Sequence, residues 1–141
     1  CRFNGHCSEH YSVAEHSIRV SGKVLARTGD PRKAMAGLLH DAAEAYTGDV
    51  ISPLKRILPG FKEIERVLEK CIAEVFDIAY PFPEEVHTAD KDILDYEFRV
   101  IAPFGHLDDC VKSLSPKKAE KQFLDMYYKL AETILEHDNK D

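Results

Sequence analysis

Apolar residues recur at three- and four-residue steps along nearly the whole chain, and no alternating run is long enough for a convincing strand. Between Tyr11 and Ala26, the residues Val13, Ile18, Val20, Val24 and Leu25 fall among polar ones, which predicts an amphipathic helix. Thr28-Gly29-Asp30-Pro31 then closes that helix and opens the next. Gly29 is a C-terminal stop, Asp30 an N-cap and Pro31 a first-turn residue. The second helix is predicted to run to about Tyr46, where Thr47-Gly48-Asp49 breaks it. Ser52-Pro53 repeats the cap-plus-proline start for a short helix closed by Pro59-Gly60. From Phe61 onward, Ile64, Val67, Leu68, Cys71, Ile72, Val75 and Phe76 form the clearest amphipathic pattern in the chain. Beyond the rigid connector Pro81-Phe82-Pro83, a helix is predicted over roughly Glu84 to Ile101, and a loop over Pro103 to Pro116. A last helix carries Phe123, Met126, Tyr127, Leu130, Ile134 and Leu135, and the polar tail from Glu136 to Asp141 is expected to fray. The expected fold is all-α: one compact domain over residues 1–141, a bundle of about five to seven helices.

Composition narrows the function classes. At 141 residues the chain is long enough to bury a core without staples. No apolar stretch approaches the ~20 residues needed to span a bilayer, and no signal-peptide pattern opens the chain, whose first residues are Cys1-Arg2-Phe3-Asn4 with no Met at the start. A formal charge of −6 argues against an extended nucleic-acid surface, but not against a small phosphorylated ligand held by a metal and a few basic groups. The four cysteines (Cys1, Cys7, Cys71, Cys110) form no Cys-x-x-Cys pair, so free thiols in a reducing cytoplasm are expected.

Three segments set ionisable groups inside apolar helical runs: Ala14-Glu15-His16-Ser17, Leu38-Leu39-His40-Asp41-Ala42-Ala43-Glu44 and His87-Thr88-Ala89-Asp90-Lys91. Burying such groups without partners costs roughly 2–7 kcal/mol for a neutral polar group and more for a charge. A divalent cation is the simplest compensation. Together His16, His40, Asp41 and Asp90 supply two imidazoles and two carboxylates, a set that suits a first-row divalent metal better than a structural zinc held by thiolates. On a continuous helix, Glu44 would stand one turn above His40. Cys1, His6, Cys7 and His10 match no zinc-knuckle spacing and read instead as a loop near the mouth of the site. His87, three residues before Asp90, is left without a role.

The order His16 … His40-Asp41 … Asp90 resembles the HD-domain phosphohydrolase superfamily. The resemblance narrows in Glu15-His16-Ser17 and in His40-Asp41-Ala42-Ala43-Glu44-Ala45-Tyr46-Thr47-Gly48-Asp49. The latter is similar to the His-Asp-x-x-Glu-x-x-x-Gly-Asp stretch of bacterial 5′-deoxynucleotidases and their phage-type relatives. Ser52-Pro53-Leu54-Lys55 continues it with their Pro-x-Lys, and the match covers about Arg2 to Glu97. It implies an all-helical fold with one divalent metal ion (Mn, Co, Fe, Ni, Zn or Mg) held by His16, His40, Asp41 and Asp90. It further implies that Glu44 and Asp49 orient or deprotonate a water and protonate the departing sugar oxygen. Arg2 and Lys55 would supply the cations that reach substrate phosphate. The chain has no Trp, and Phe3 stands where those nucleotidases place one beside the arginine, which leaves ribose against 2′-deoxyribose open.

The expected activity is hydrolysis of the phosphomonoester of (deoxy)nucleoside 5′-monophosphates. Two alternatives stay open at this level: another nucleotide ester, such as a triphosphate or a diester, and a helical metal-binding module without turnover. Apolar residues on the amphipathic helices would support a homodimer. Neither a membrane nor an extended nucleic acid is expected as a partner.

Overall fold

The computed structural model describes residues 1–7, 9–100 and 113–139. Among these the secondary structure is helical throughout. A 3-10 turn at Arg2–Gly5 is followed by α1 (Val13–Thr28), α2 (Pro31–Leu39), α3 (Glu44–Thr47), α4 (Ser52–Ile57), α5 (Phe61–Val75), α6 (Glu84–Val100) and α7 (Pro116–Asp138). The all-α expectation holds. Most of the loop predicted over Pro103 to Pro116 lies outside the described residues, as does the end of the tail. None of the described helices is long and apolar enough to cross a membrane.

The punctuation between α1 and α2 works as its chemistry dictates. Gly29 takes φ 66° and returns its N–H to the Leu25 carbonyl, while the Asp30 carboxylate accepts from the N–H groups of Arg32 and Lys33. Ser12 caps the start of α1 by accepting from Glu15 N–H. Ser52 does not serve α4 in this way: it is already helical, Ile51 is the flanking residue, and no side-chain cap bond forms. The tail also departs from expectation. Helix α7 continues to Asp138, whose carboxylate receives two hydrogen bonds from Arg32 at 2.7 and 2.8 Å.

Helix α2 is the hub. Apart from Arg32 and Lys33 at its start, every residue from Pro31 to Leu39 is buried. One side joins Val20 and Val24 of α1 with Val86 and Ala89 of α6, through Ala36. The other packs Ala34, Met35, Leu38 and Leu39 against Leu130 of α7. Gly37 permits the approach of α1 and α2, because a Cβ there would lie 3.3 Å from Val24 Cγ2 and 3.4 Å from Ser21 Cα. Ser21 Oγ donates to the Ala34 carbonyl at 2.8 Å across the same contact. Helix α5 behaves differently: only Ala73 is buried, and Ile64, Val67 and Val75 of its apolar pattern are exposed. Strong amphipathic spacing marks a face fit for burial without naming what covers it.

Candidate metal centre

The site forms where α2 ends. The predicted continuous helix to Tyr46 is interrupted at His40: α2 stops at Leu39, and residues 40–43 make a turn before α3. His40 keeps right-handed helical angles, and its ring Nδ1 lies 2.8 Å from the Gly37 carbonyl. The following backbone tightens to i→i+3 bonds, Ala42 N–H to Leu39 and Glu44 N–H to Asp41, both at 3.0 Å. His40 and Asp41 therefore sit in a tight turn, not in mid-helix as their apolar flanks predict. The carbonyl bond explains the ring's aim. With Nδ1–H donated to Gly37, Nε2 is the nitrogen open to a metal ion or to a second proton.

Three side chains converge there. One ligand atom each from His16, His40 and Asp90 lies within 4.8 Å of the other two, and this is the metal-competent group found among the described residues. His16 Nε2 is 3.1 Å, and His40 Nε2 3.8 Å, from Asp90 Oδ1. Asp41 borders both rings with different oxygens, Oδ2 at 3.5 Å from His16 Nε2 and Oδ1 at 3.3 Å from His40 Nε2. It stands at the edge of the trio, and its Oδ2 also accepts a 3.1 Å hydrogen bond from Arg2.

The donors suit a divalent cation on their own chemistry. Both Nε2 atoms are buried and neither makes an aligned hydrogen bond, despite carboxylates close by. Donors bonded at about 2.0–2.1 Å to a common ion sit roughly 3 Å or more apart, so the observed separations accommodate one. Two borderline imidazole nitrogens and hard carboxylate oxygens together make a donor set that could hold a divalent metal ion.

The remaining expected residues cluster around this centre with unequal freedom. Arg2 is buried between Asp41 and Glu97. Glu44 is largely buried with Oε2 unpartnered, and its carboxyl is pushed up to about 8 by burial and the charges of Asp41 and Asp49. Asp49 accepts the backbone N–H of Phe3 at 3.0 Å, fastening the N-terminal segment over the site. Lys55 is 3.8 Å from Glu44 and is bound more tightly by Glu65, at 2.6 Å. His87 is exposed and outside the cluster. Cys1 and Cys7 carry free thiols and form no metal group with His6 and His10 among the described residues. Glu15 anchors the chain ahead of α7, accepting the Leu114 N–H at 2.8 Å.

One important residue of the centre stands out only in the fold. Glu97 is fully buried, and its Oε1 accepts from His16 Nδ1 and from the Tyr11 hydroxyl, each at 2.6 Å. The only local signal is a carboxylate two turns after Asp90 on an otherwise half-apolar helix, which reads equally well as a solvated position.

Beside the centre lies a cavity of about 680 Å³, walled by Leu38, Leu39, Ile72, Phe76, Phe123 and Leu124. Asp41 and Glu44 form part of its lining, whereas His16, His40 and Asp90 do not. A ligand in the cavity would thus meet the centre on the side of the two carboxylates.

Charge makes the centre sensitive to pH. Burial alone would depress His40, but Asp41 and Asp90 overcome it and carry the ring up to about 9. His16 is likewise raised, burial being outweighed by Asp90 and Glu97. Asp90 is only partly buried; that burial disfavours its charge, but the two imidazoles outweigh it and hold the carboxyl well below the usual carboxylate range. Metal ligation needs neutral imidazoles, so cation and protons compete. In titration calorimetry, Mn²⁺ affinity is expected to rise from pH 6.5 to 9, with proton release on binding. Chelator-stripped protein should lose thermal stability over the same interval. A ring raised above its ordinary pKa stabilises the fold fully below about 6.5, and that contribution disappears as pH passes about 9. An affinity flat across this range contradicts the assigned competition.

No family model matches the chain. An uncharacterized Escherichia coli protein, YfdR, is 39% identical over 100 residues, covering 70% of this chain and 53% of that protein. The 5′-deoxynucleotidase YfbR of Photorhabdus temperata is 28% identical over 99 residues, covering 60% and 47% respectively. A 5′-deoxynucleotidase of Erwinia tasmaniensis is 26% identical over 99 residues, with the same coverage. The chain spans about half the length of the curated relatives it matches.

Proposed function

We propose that the chain is an HD-type, metal-dependent phosphohydrolase that cleaves the phosphomonoester of (deoxy)nucleoside 5′-monophosphates. The observation that carries this reading is the pair of buried, unpartnered imidazole Nε2 atoms meeting Asp90, next to a cavity edged by Asp41 and Glu44. Similarity to two 5′-deoxynucleotidases supports the choice of substrate class.

A divalent cation held by His16, His40, Asp90 and Asp41 would supply Lewis acidity toward phosphate and lower the pKa of a water. The chain's own groups do the rest. Glu44, raised toward neutrality and with a free buried oxygen, is suited to take a proton from the attacking water. Asp49 is the candidate to serve the leaving oxygen. Arg2, fixed against Asp41, brings a cation to the same edge of the site, where it would bind phosphate oxygens. Lys55 would reach phosphate only by leaving Glu65. The apolar cavity walls would hold the base and sugar away from water, and about 680 Å³ lies within the usual range for a small-molecule site.

With Mn²⁺ or Co²⁺, the purified protein should release inorganic phosphate from a panel of nucleoside and deoxynucleoside monophosphates. Asp41→Ala is expected to reduce the rate at least about 100-fold, by loosening the metal and freeing Arg2. Unchanged activity in that variant would sink the assignment. Pyrophosphate or triphosphate as product would move the substrate to a nucleoside triphosphate.

A further inference from the structure

Glu97 joins three segments of the chain at one buried point. Its Oε1 receives the Tyr11 hydroxyl, from just before α1, and His16 Nδ1 from α1, both at 2.6 Å. Its Oε2 lies 3.2 Å from Arg2 Nε in the N-terminal turn, an ion pair without an aligned hydrogen bond. A carboxylate this deep is tolerated only when paired and hydrogen-bonded. More than packing is at stake here, because Arg2 and His16 both also reach Asp41. Arg2 Nη1 donates to Asp41 Oδ2, and His16 Nε2 faces Asp41 and Asp90 with no aligned hydrogen bond.

The two ring nitrogens of a histidine are not independent. A carboxylate at Nδ1 keeps the proton there, which leaves the Nε2 lone pair for a cation and makes it a stronger donor. His40 receives the equivalent constraint from the Gly37 carbonyl. The two rings are therefore oriented by unlike partners, one neutral and one charged.

We infer that Glu97 is the positioning residue of this centre: it fixes His16 in the Nδ1–H tautomer with Nε2 aimed at Asp90, and braces Arg2 against Asp41. This rests on the reading of His16, His40 and Asp90 as metal ligands. Glu97 itself touches neither metal nor substrate. Its two oxygens divide the work, Oε1 toward the ligand ring and Oε2 toward the arginine, so one buried carboxylate couples metal binding to the cation proposed for phosphate.

Two measurements test this. In chelator-treated wild-type protein, long-range ¹H–¹⁵N correlation, recorded at a pH where the ring's own ¹⁵N shifts report the neutral form, should show the His16 proton on Nδ1. A proton on Nε2 overturns the inference whatever the enzyme does. In Glu97→Gln, which keeps the shape and removes the charge, Mn²⁺ affinity by titration calorimetry should fall roughly 10–100-fold. The His16 tautomers in that variant should become mixed. Wild-type protein that binds Mn²⁺ beside a folded Glu97→Gln that binds within twofold defeats the inference and spares the metal site. Wild-type protein that fails to bind Mn²⁺ defeats the metal site, and the tautomer measurement still decides the role of Glu97.

Discussion

Asp90→Ala should leave the protein without bound metal and without phosphatase activity. Asp90 Oδ1 is the atom both imidazoles share, 3.1 Å from His16 Nε2 and 3.8 Å from His40 Nε2. Its removal leaves two neutral donors and Asp41, whose Oδ2 already serves Arg2. Half of the negative charge that offsets a divalent cation is then lost. The loss should exceed the roughly 10–100-fold expected when only a group orienting a ligand is removed. Elemental analysis after dialysis against micromolar Mn²⁺ reads occupancy, and phosphate release reads activity. One equivalent of metal retained by Asp90→Ala would show that the centre lies elsewhere. Asp90→Asn adds a finer comparison, because it keeps the shape and withdraws the charge that the two histidines now hold in place.

The second large effect is expected at Glu44, with the opposite signature. Glu44→Gln should retain metal and lose about 10²- to 10⁴-fold in kcat, the usual contribution of a positioned proton acceptor. Burial comes first among the forces that raise its carboxyl to about 8, followed by the charges of Asp41 and Asp49. A base works only when deprotonated, so kcat should climb with pH and level off above the Glu44 pKa. A cation beside Asp41 favours the carboxylate and shifts that limb below 8. In Glu44→Gln the limb should vanish, leaving a low and flat profile. Wild-type turnover in that variant would remove Glu44 from the chemistry, whereas loss of bound metal would make it a ligand.

These two predictions draw on residues that the sequence marks well. His40-Asp41, His16 and Asp90 attract notice because ionisable groups in apolar runs need partners, and Glu44 follows Asp41 by less than a turn. The surroundings of Lys55 were less legible. A lysine after Ser52-Pro53 can face a phosphate, a glutamate or water, and the choice of Glu65, at 2.6 Å, depends on where the turn between α4 and α5 sets the two side chains. The apolar spacing of α5 was equally plain, yet only Ala73 of that helix is buried.

By itself the sequence determined what acts over one or two turns. Gly29-Asp30-Pro31 sets the boundary of α1 and α2, the three- and four-residue spacing makes the described chain all-α, and the residue types supply donors that could hold a divalent metal ion. Tertiary structure alone decided what those residues meet. His40 breaks the predicted helix once its ring reaches the Gly37 carbonyl and the backbone tightens behind it. Glu97 becomes part of the centre only because α6 crosses α1 where it does, which brings it to His16 and Tyr11 across 81 and 86 residues of chain. The physical reason lies in range. Caps, turns and periodicity are written in neighbouring residues, whereas the partner of a buried charge is chosen by packing between helices that no local pattern specifies.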